Sequence, residues 1–326
     1  MPEIIALASY EPAGKPPLTA EKAHQTVLGV HQSRKLAAET LSLIRSMLAL
    51  IACIQRHRGA TMALLGGDDR FAERMPSLQK EIALRIDMLL LEPDAVVEPN
   101  DKDNILSAWK TIAHNWQDDA VLENFEYHSH LIEYLLRMVR AKGELYAANL
   151  NQLSCLLTDA ELLRNLGILK CVACNNVPDC FELLAKLRGL ATHAAASHFC
   201  DALTQSRIEF LIKELHRLTG VFDGKVRELA PDLRERLVPG NTLAQAKVKR
   251  DYLVELLSND IVEGRPITLD SEMVYRVTTE VIDTYYAFSY AILSYLQVML
   301  PELLNQCMIN LAKNPSLTCR SLAEPD

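Results

Sequence analysis

The stretch IACIQRHRGATMALLGG, residues 51–67, decides how the chain is read. An apolar run acquires Arg56, His57 and Arg58, then Gly59, and turns apolar again before a double glycine. On a helix, Met47, Ile51, Ile54, Arg58, Met62 and Leu65 recur at steps of three and four and line up on one face. Arg58 therefore lies in the apolar stripe. A guanidinium inside a core is costly unless a partner neutralises it and fills its donors. That partner is either a carboxylate of the same chain or a small anion from outside.

Residues 181–199, FELLAKLRGLATHAAASHF, echo this stretch. Phe181, Leu184, Arg188, Ala191 and Ala195 form a second helical stripe, and Gly189 follows the arginine. Glycine inside a helix costs roughly 1 kcal/mol relative to alanine. Two such placements point either to close helix–helix approach or to room for a ligand beside each arginine. A planar, monovalent oxyanion suits the setting, because a guanidinium offers it paired donors and an apolar rim excludes water. Gln55, Arg56 and Thr61 beside the first element and Thr192 beside the second supply further polar groups. Two buried arginines without an anion repel each other, so the packing would depend on occupancy, as a sensor requires. The competing reading pairs Arg58 and Arg188 with internal acids such as Glu81, Glu133 or Glu280.

The wider composition narrows the class. Hydrophobic residues make up 49% of 326, glycine and phenylalanine are scarce, and no alternating strand pattern or βαβ order appears. An all-α protein follows. A net charge of -8 with no basic run argues against direct nucleic-acid binding. The opening MPEIIALASYEPAGKPP lacks the features of a secretion signal, and the apolar run YYAFSYAILSYLQVML, 285–300, is short for a bilayer span. The expectation is a cytoplasmic protein with no membrane contact. Cys171-Val-Ala-Cys174, with Cys180 nearby, lacks the second half of a zinc site and the strand of a redox unit, and reads as buried thiols. His128 with His130, and His193 with His198, are poorly spaced for a metal. Asp68-Asp69 and Asp118-Asp119 sit at helix starts, where carboxylates favour the macrodipole. With no nucleotide-binding, metalloprotease or nucleophile-elbow motif, neither an enzyme nor a cofactor is expected.

Taken in order, residues 1–18 read as a Pro-rich arm, Thr19–Gly29 as a short helix and Gln32–Leu65 as a long one. Gly66-Gly67-Asp68-Asp69 stops that helix and caps the next, at about 70–91. Helices are expected at 102–116, 118–141 and 142–172, then a turn at Asn175-Asn176-Val177-Pro178. The Arg188 helix follows, then 204–227, a short helix closed by Pro239-Gly240, and 241–261. The loop GRPITLD, 264–270, leads to a last long helix from about 272, capped by Asp270 or Ser271 and kinked at Pro301. Residues 1–29 would form an arm, 30–305 two helical bundles divided near 142–172, and 306–326 a tail.

Three of these elements, in this order, resemble the nitrate- and nitrite-sensing domain, called NIT, of bacterial signalling proteins. They are IQRHRGATMALLGGD (54–68), LAKLRGLATHAAA (184–196) and RPITLDSEMVYRVTTEVIDTYYAF (265–288). The resemblance covers about residues 30–305. It implies two stacked antiparallel four-helix-type bundles joined by long helices, with nitrate or nitrite held between them by arginines. By motif position it implies Arg58 and Arg188 as ligands. Arg56, about half a turn from Arg58, and a fourth basic residue, Arg236 or Arg276, would complete the set beside Thr61 and Thr192. Members of this family usually carry a fused output module. Here the chain ends soon after its last helix, so a protein partner or a homodimer is expected to carry the signal. The alternative remains a helical scaffold whose arginines are internally paired.

Overall fold

The run around Arg58 forms one continuous helix, α1 (Ala20–Leu65), and the other helices are laid around it. The computed structural model describes residues 20–114, 116–153, 157, 159–237 and 242–313, and no strand occurs among them. The chain is all-α. Met47, Ile51, Ile54, Arg58 and Met62 are fully buried, as the stripe requires, but Leu48, Leu50, Gln55, His57 and Thr61 on the other faces are buried too. The second half of α1 is thus enclosed on most of its circumference, with the stripe through Arg45, Ser46, Ala49, Ala52 and Arg56 partly open to solvent. It ends where Gly67 adopts φ 96° and the Asp68 amide reaches back to the Ala63 carbonyl, so the double glycine is the stop its sequence indicates.

Asp68 then caps a short 3₁₀ turn (Asp69–Arg74) that runs into α2 (Met75–Leu90). After α3 (Pro99–Ala113) and α4 (Val121–Leu153) the chain returns to α1. α1 packs on α2 and α4, α2 on α3, and α3 on α4. Further on, α6 (Val177–Ser197) packs on α7 (Ala202–Glu228) and α10 (Ser271–Lys313). α8 (Pro231–Leu237) and α9 (Thr242–Leu257) pack on α10, and the π-helical turn Ser258–Val262 that continues α9 packs on α7. Asp270 caps α10 by accepting from the Met273 amide at 2.9 Å. α1 also touches α6 and α10, so the two Arg-Gly elements meet inside one continuous apolar core.

Several boundaries differ from the sequence reading. α1 begins at Ala20, so no break separates a short helix near Gly29 from the long one. α4 runs unbroken through residue 142 to Leu153. The turn expected at Asn175–Pro178 is instead a π-helical turn (Val172–Asn176) that joins α5 (Ala160–Cys171) directly to α6. Pro178 has no N–H and would crowd the carbonyl four residues back, and the wider π turn accommodates both defects without ending the helix. α10 likewise carries Pro301 in its interior and continues to Lys313. The expected closure at Pro239-Gly240 lies outside the described residues. By length and composition alone, His31–Leu65 and Ser271–Asn310 are long and apolar enough to cross a membrane, and most of the first apolar window is buried inside the protein.

Candidate functional site

Arg58 enters from α1 and is fully buried. Its Nη1 donates to Glu182 Oε1 at 2.8 Å and its Nη2 to Glu182 Oε2 at 3.2 Å, a two-point ion pair between α1 and α6. Nη1 also donates to Ser129 Oγ of α4 at 2.9 Å, and the guanidinium lies 5.1 Å from the Phe125 ring. Gln55 Nε2 donates to the same carboxylate at 2.7 Å, and Gln55 Oε1 accepts from Tyr286 Oη of α10 at 3.0 Å. One buried polar network therefore ties α1, α4, α6 and α10. Its acid is none of those singled out from the sequence: Glu81 holds Arg85, Glu133 holds Lys186, and Glu280 holds Lys249 and Arg276.

Arg188 comes from α6 and is 1% exposed. Its Nη1 donates to Thr279 Oγ1 of α10 at 2.8 Å, and its guanidinium carbon lies 4.8 Å from the centre of the Tyr275 ring. Among the described residues no carboxylate pairs with it, and Nε and Nη2 have no hydrogen-bond partner. Those two donors share one edge of the guanidinium and point the same way, the geometry that grips two oxygens of a planar anion. Arg70 uses the same pair of atoms on Asp68, Nε to Oδ1 at 2.9 Å and Nη2 to Oδ2 at 2.7 Å. Thr192, one turn beyond Arg188 on the same side of α6, is fully buried with its hydroxyl also unpartnered.

Gly59 explains how the second arginine reaches this place. A Cβ there would stand 2.9 Å from Arg188 Nε and 2.9 Å from Tyr275 Cε2, so only glycine lets the guanidinium and the ring lie against α1. The electrostatics oppose the charge. Burial pushes the Arg188 pKa down from its ordinary value, Tyr275 counters this, and the nearby Arg58 and Arg56 push it further down. A buried cation with two unpartnered donors is costly to keep and attractive to an anion, although its arginine neighbours are themselves paired with Glu182 and Asp283, and Asp283 favours its charge.

The remaining sequence candidates are placed differently. Arg56 is held by Asp283 at 2.8 Å at a half-exposed position, and its carbonyl accepts from Tyr275 Oη. The Thr61 hydroxyl lies 3.0 Å from the Arg58 carbonyl and 2.9 Å from Asn124 Oδ1, facing α4. Arg236 is exposed over Tyr295, and Arg276 is exposed and paired with Glu280, so neither joins the two buried arginines. Cys174 is buried, and burial pushes its thiol up to about 12.

Sequence reasoning missed Glu182, Ser129, Tyr275, Tyr286 and Thr279. The available signal was a glutamate in the otherwise apolar segment before Lys186, next to the Phe181 stripe. It also missed a buried histidine pair. His57 Nδ1 lies 2.7 Å from His128 Nε2, and His128 Nδ1 lies 2.7 Å from the Asn124 carbonyl, which it can reach only as a donor. His57 is then the donor to His128, and its own Nε2 is an acceptor with no partner. Searches of family models, of curated proteins and of solved structures find no match to this chain.

Proposed function

We propose that the protein is a cytoplasmic sensor of a small planar oxyanion, nitrate or nitrite as the resemblance to the NIT domain implies, bound on the unpartnered edge of Arg188 alone rather than between Arg58 and Arg188. In this reading α1–α4 and α6–α10 are the two four-helix-type bundles, and the anion sits where α6 meets α1 and α10. The observation that supports it is the buried Nε/Nη2 edge of Arg188, which has no carboxylate and no hydrogen-bond partner. Two oxygens of the anion accept from Nε and Nη2, and the Thr192 hydroxyl donates to a remaining lone pair. Binding replaces a desolvated lone cation with a neutral pair and so favours the packing in which α6, Thr279 and Tyr275 are held together.

Arg58 does not bridge to the anion in this mechanism. Glu182 neutralises it and takes its Nη1 and Nη2 donors, and the pair serves as the fixed joint against which the Arg188 side responds. Output passes to a protein partner or to a second copy of the chain. The competing reading, a helical scaffold without a small ligand, draws its support from that same Arg58–Glu182 pair.

A thermal melt in nitrate, nitrite, chloride and sulfate at matched ionic strength decides between them. A ligand that binds only the folded state adds about 2.7 kcal/mol at 100 times its dissociation constant, a shift of a few degrees for a chain of this size. The expected result is a shift with nitrate or nitrite that is absent with chloride and sulfate and absent in Arg188→Met. No selective shift, or the same shift in Arg188→Met, returns the protein to the scaffold class.

A further inference from the structure

On the outer side of α3 and α4 the two helices part over a half-open cleft of about 400 Å³, remote in sequence from the Arg188 helix. Its floor is apolar, made by Ala108 and Ile112 of α3 and Leu131 of α4. Tyr127 and Tyr134, two turns apart along α4 and so separated by about 10 Å, stand as walls on one face. Their hydroxyls are committed elsewhere. Tyr127 Oη donates to Glu123 Oε1, and Tyr134 Oη donates to Asp101 while accepting from Asn104 Nδ2. The rings are therefore fixed with their polar tips satisfied, which leaves apolar surface to meet a guest.

At one end of the cleft stands Arg137, its guanidinium carbon 5.4 Å from the centre of the Tyr134 ring. Among the described residues no carboxylate pairs with Arg137, although Arg140 pairs with Asp179 and Lys186 with Glu133 on the neighbouring surface. An apolar floor, aromatic walls and one guanidinium without an ion pair, in a lining that also carries Asn104, Thr111 and His130, suit a ligand with a flat apolar body and a single acid group. The carboxylates of Asp101 and Glu123 behind the tyrosine tips disfavour a polyanion. The volume falls within the range of small-molecule sites, roughly 300–1,000 Å³.

We propose that the α3–α4 cleft binds a small aromatic carboxylate, its ring over Ala108 and Leu131 between the tyrosines and its carboxylate on Arg137. The planar guanidinium matches a carboxylate through two parallel hydrogen bonds, which a neutral amide of the same shape cannot reproduce.

The test is calorimetric titration of the full chain with 2-naphthoate and its uncharged amide, 2-naphthamide. 2-Naphthoate is expected to bind, and Arg137→Gln, at an exposed position that leaves the helix intact, to weaken it about ten-fold or more. 2-Naphthamide is expected to bind more weakly and to be indifferent to Arg137→Gln. Ala108→Phe fills the floor and is expected to remove binding of both; should that variant not fold, Arg137→Gln decides alone. Unchanged affinity in Arg137→Gln overturns the proposal. Loss of binding in Arg188→Met with Arg137→Gln unaffected overturns it too, and so does the absence of binding at millimolar 2-naphthoate.

Discussion

Two Arg-Gly elements with nearly the same lettering meet in this core, and their charges are handled in opposite ways. Arg58 is neutralised: a carboxylate and a serine hydroxyl take its Nη1 and Nη2 donors beside an aromatic face, and only its Nε is left without a partner. Arg188 is held by one threonine and one ring, with the donors of one edge unpartnered. The carboxylate that neutralises the first arginine lies on the helix of the second. Glu182 stands six positions before Arg188, a spacing that turns the two side chains to different sides of α6. It can reach across to α1 but not along its own helix. Similar local sequence thus gives a paired arginine at one place and an arginine without a carboxylate at the other, and what separates them is where one acid points.

The largest effect that would break this contrast is at Glu182. Glu182→Gln leaves Arg58 buried without its counter-charge and is expected to cost about 3–5 kcal/mol in a denaturant titration. Replacing both partners by apolar residues, Arg58→Met with Glu182→Leu, is expected to recover most of that loss, because the desolvated charge is removed together with its mate. A single substitution as mild as an ordinary surface change would mean that the pair is not the joint described.

Arg188 should behave in the reverse manner. Arg188→Met removes a lone buried cation, so in chloride it is expected to leave stability unchanged or raise it. Its cost is expected only in nitrate or nitrite, where the roughly 2.7 kcal/mol gained by the parent chain at 100 times the dissociation constant disappears. Strong destabilisation of Arg188→Met without any anion would show that Thr279 and Tyr275 already satisfy the guanidinium.

The helical class and most helix ends were legible because they depend on local chemistry. Gly67 needs a positive φ to end α1, Asp270 caps α10, and the steps of three and four mark the stripes. Arg58, Arg188 and Thr192 were legible as polar intrusions on apolar faces. The rest depends on contacts between segments far apart in the chain. That Glu182 turns toward α1, or that Thr279 and Tyr275 of α10 lie against Arg188, follows from helix rotation and from close approach at Gly59, which no local pattern carries. The π turn at Val172–Asn176 defeated a sound local rule, because a Pro that usually starts a new helix is absorbed by a widened turn in a continuing one.

An effect that appears only as the pH falls lies beside Arg58, in the histidine pair. Burial pushes His57 down to about 3, and burial together with the nearby His57 pushes His128 well below its ordinary value. The unfolded chain takes up these protons near pH 6.5, while folded His57 resists until about pH 3. Stability from this source is therefore complete above about pH 6.5 and falls as the pH drops, by up to about 1.4 kcal/mol per pH unit for each histidine. Denaturant midpoints measured between pH 7 and pH 4 are expected to decline, and less steeply in His57→Gln. Equal slopes in the two proteins would assign the decline to other groups.

The finest test sets the two glycines against each other. At Gly59 a methyl group meets Arg188 Nε and Tyr275 Cε2, both at 2.9 Å, and neither can retreat without disturbing the other. Gly59→Ala is expected to cost about 1–3 kcal/mol by overpacking and to abolish the nitrate-dependent shift as the guanidinium is displaced. At Gly189 the nearest atoms are Phe125 Cε2 at 3.4 Å and Met62 Cγ at 3.6 Å, ordinary contact distances. There the helix propensity of alanine decides, and Gly189→Ala is expected to stabilise by up to about 1 kcal/mol, with the nitrate-dependent shift retained. Opposite signs at the two positions would show that the first glycine serves the neighbouring arginine and the second does not. Equal destabilisation would mean that the methyl group at 189 drives Phe125 against Arg58, and that the surroundings of Arg58 are as tightly packed as those of Arg188.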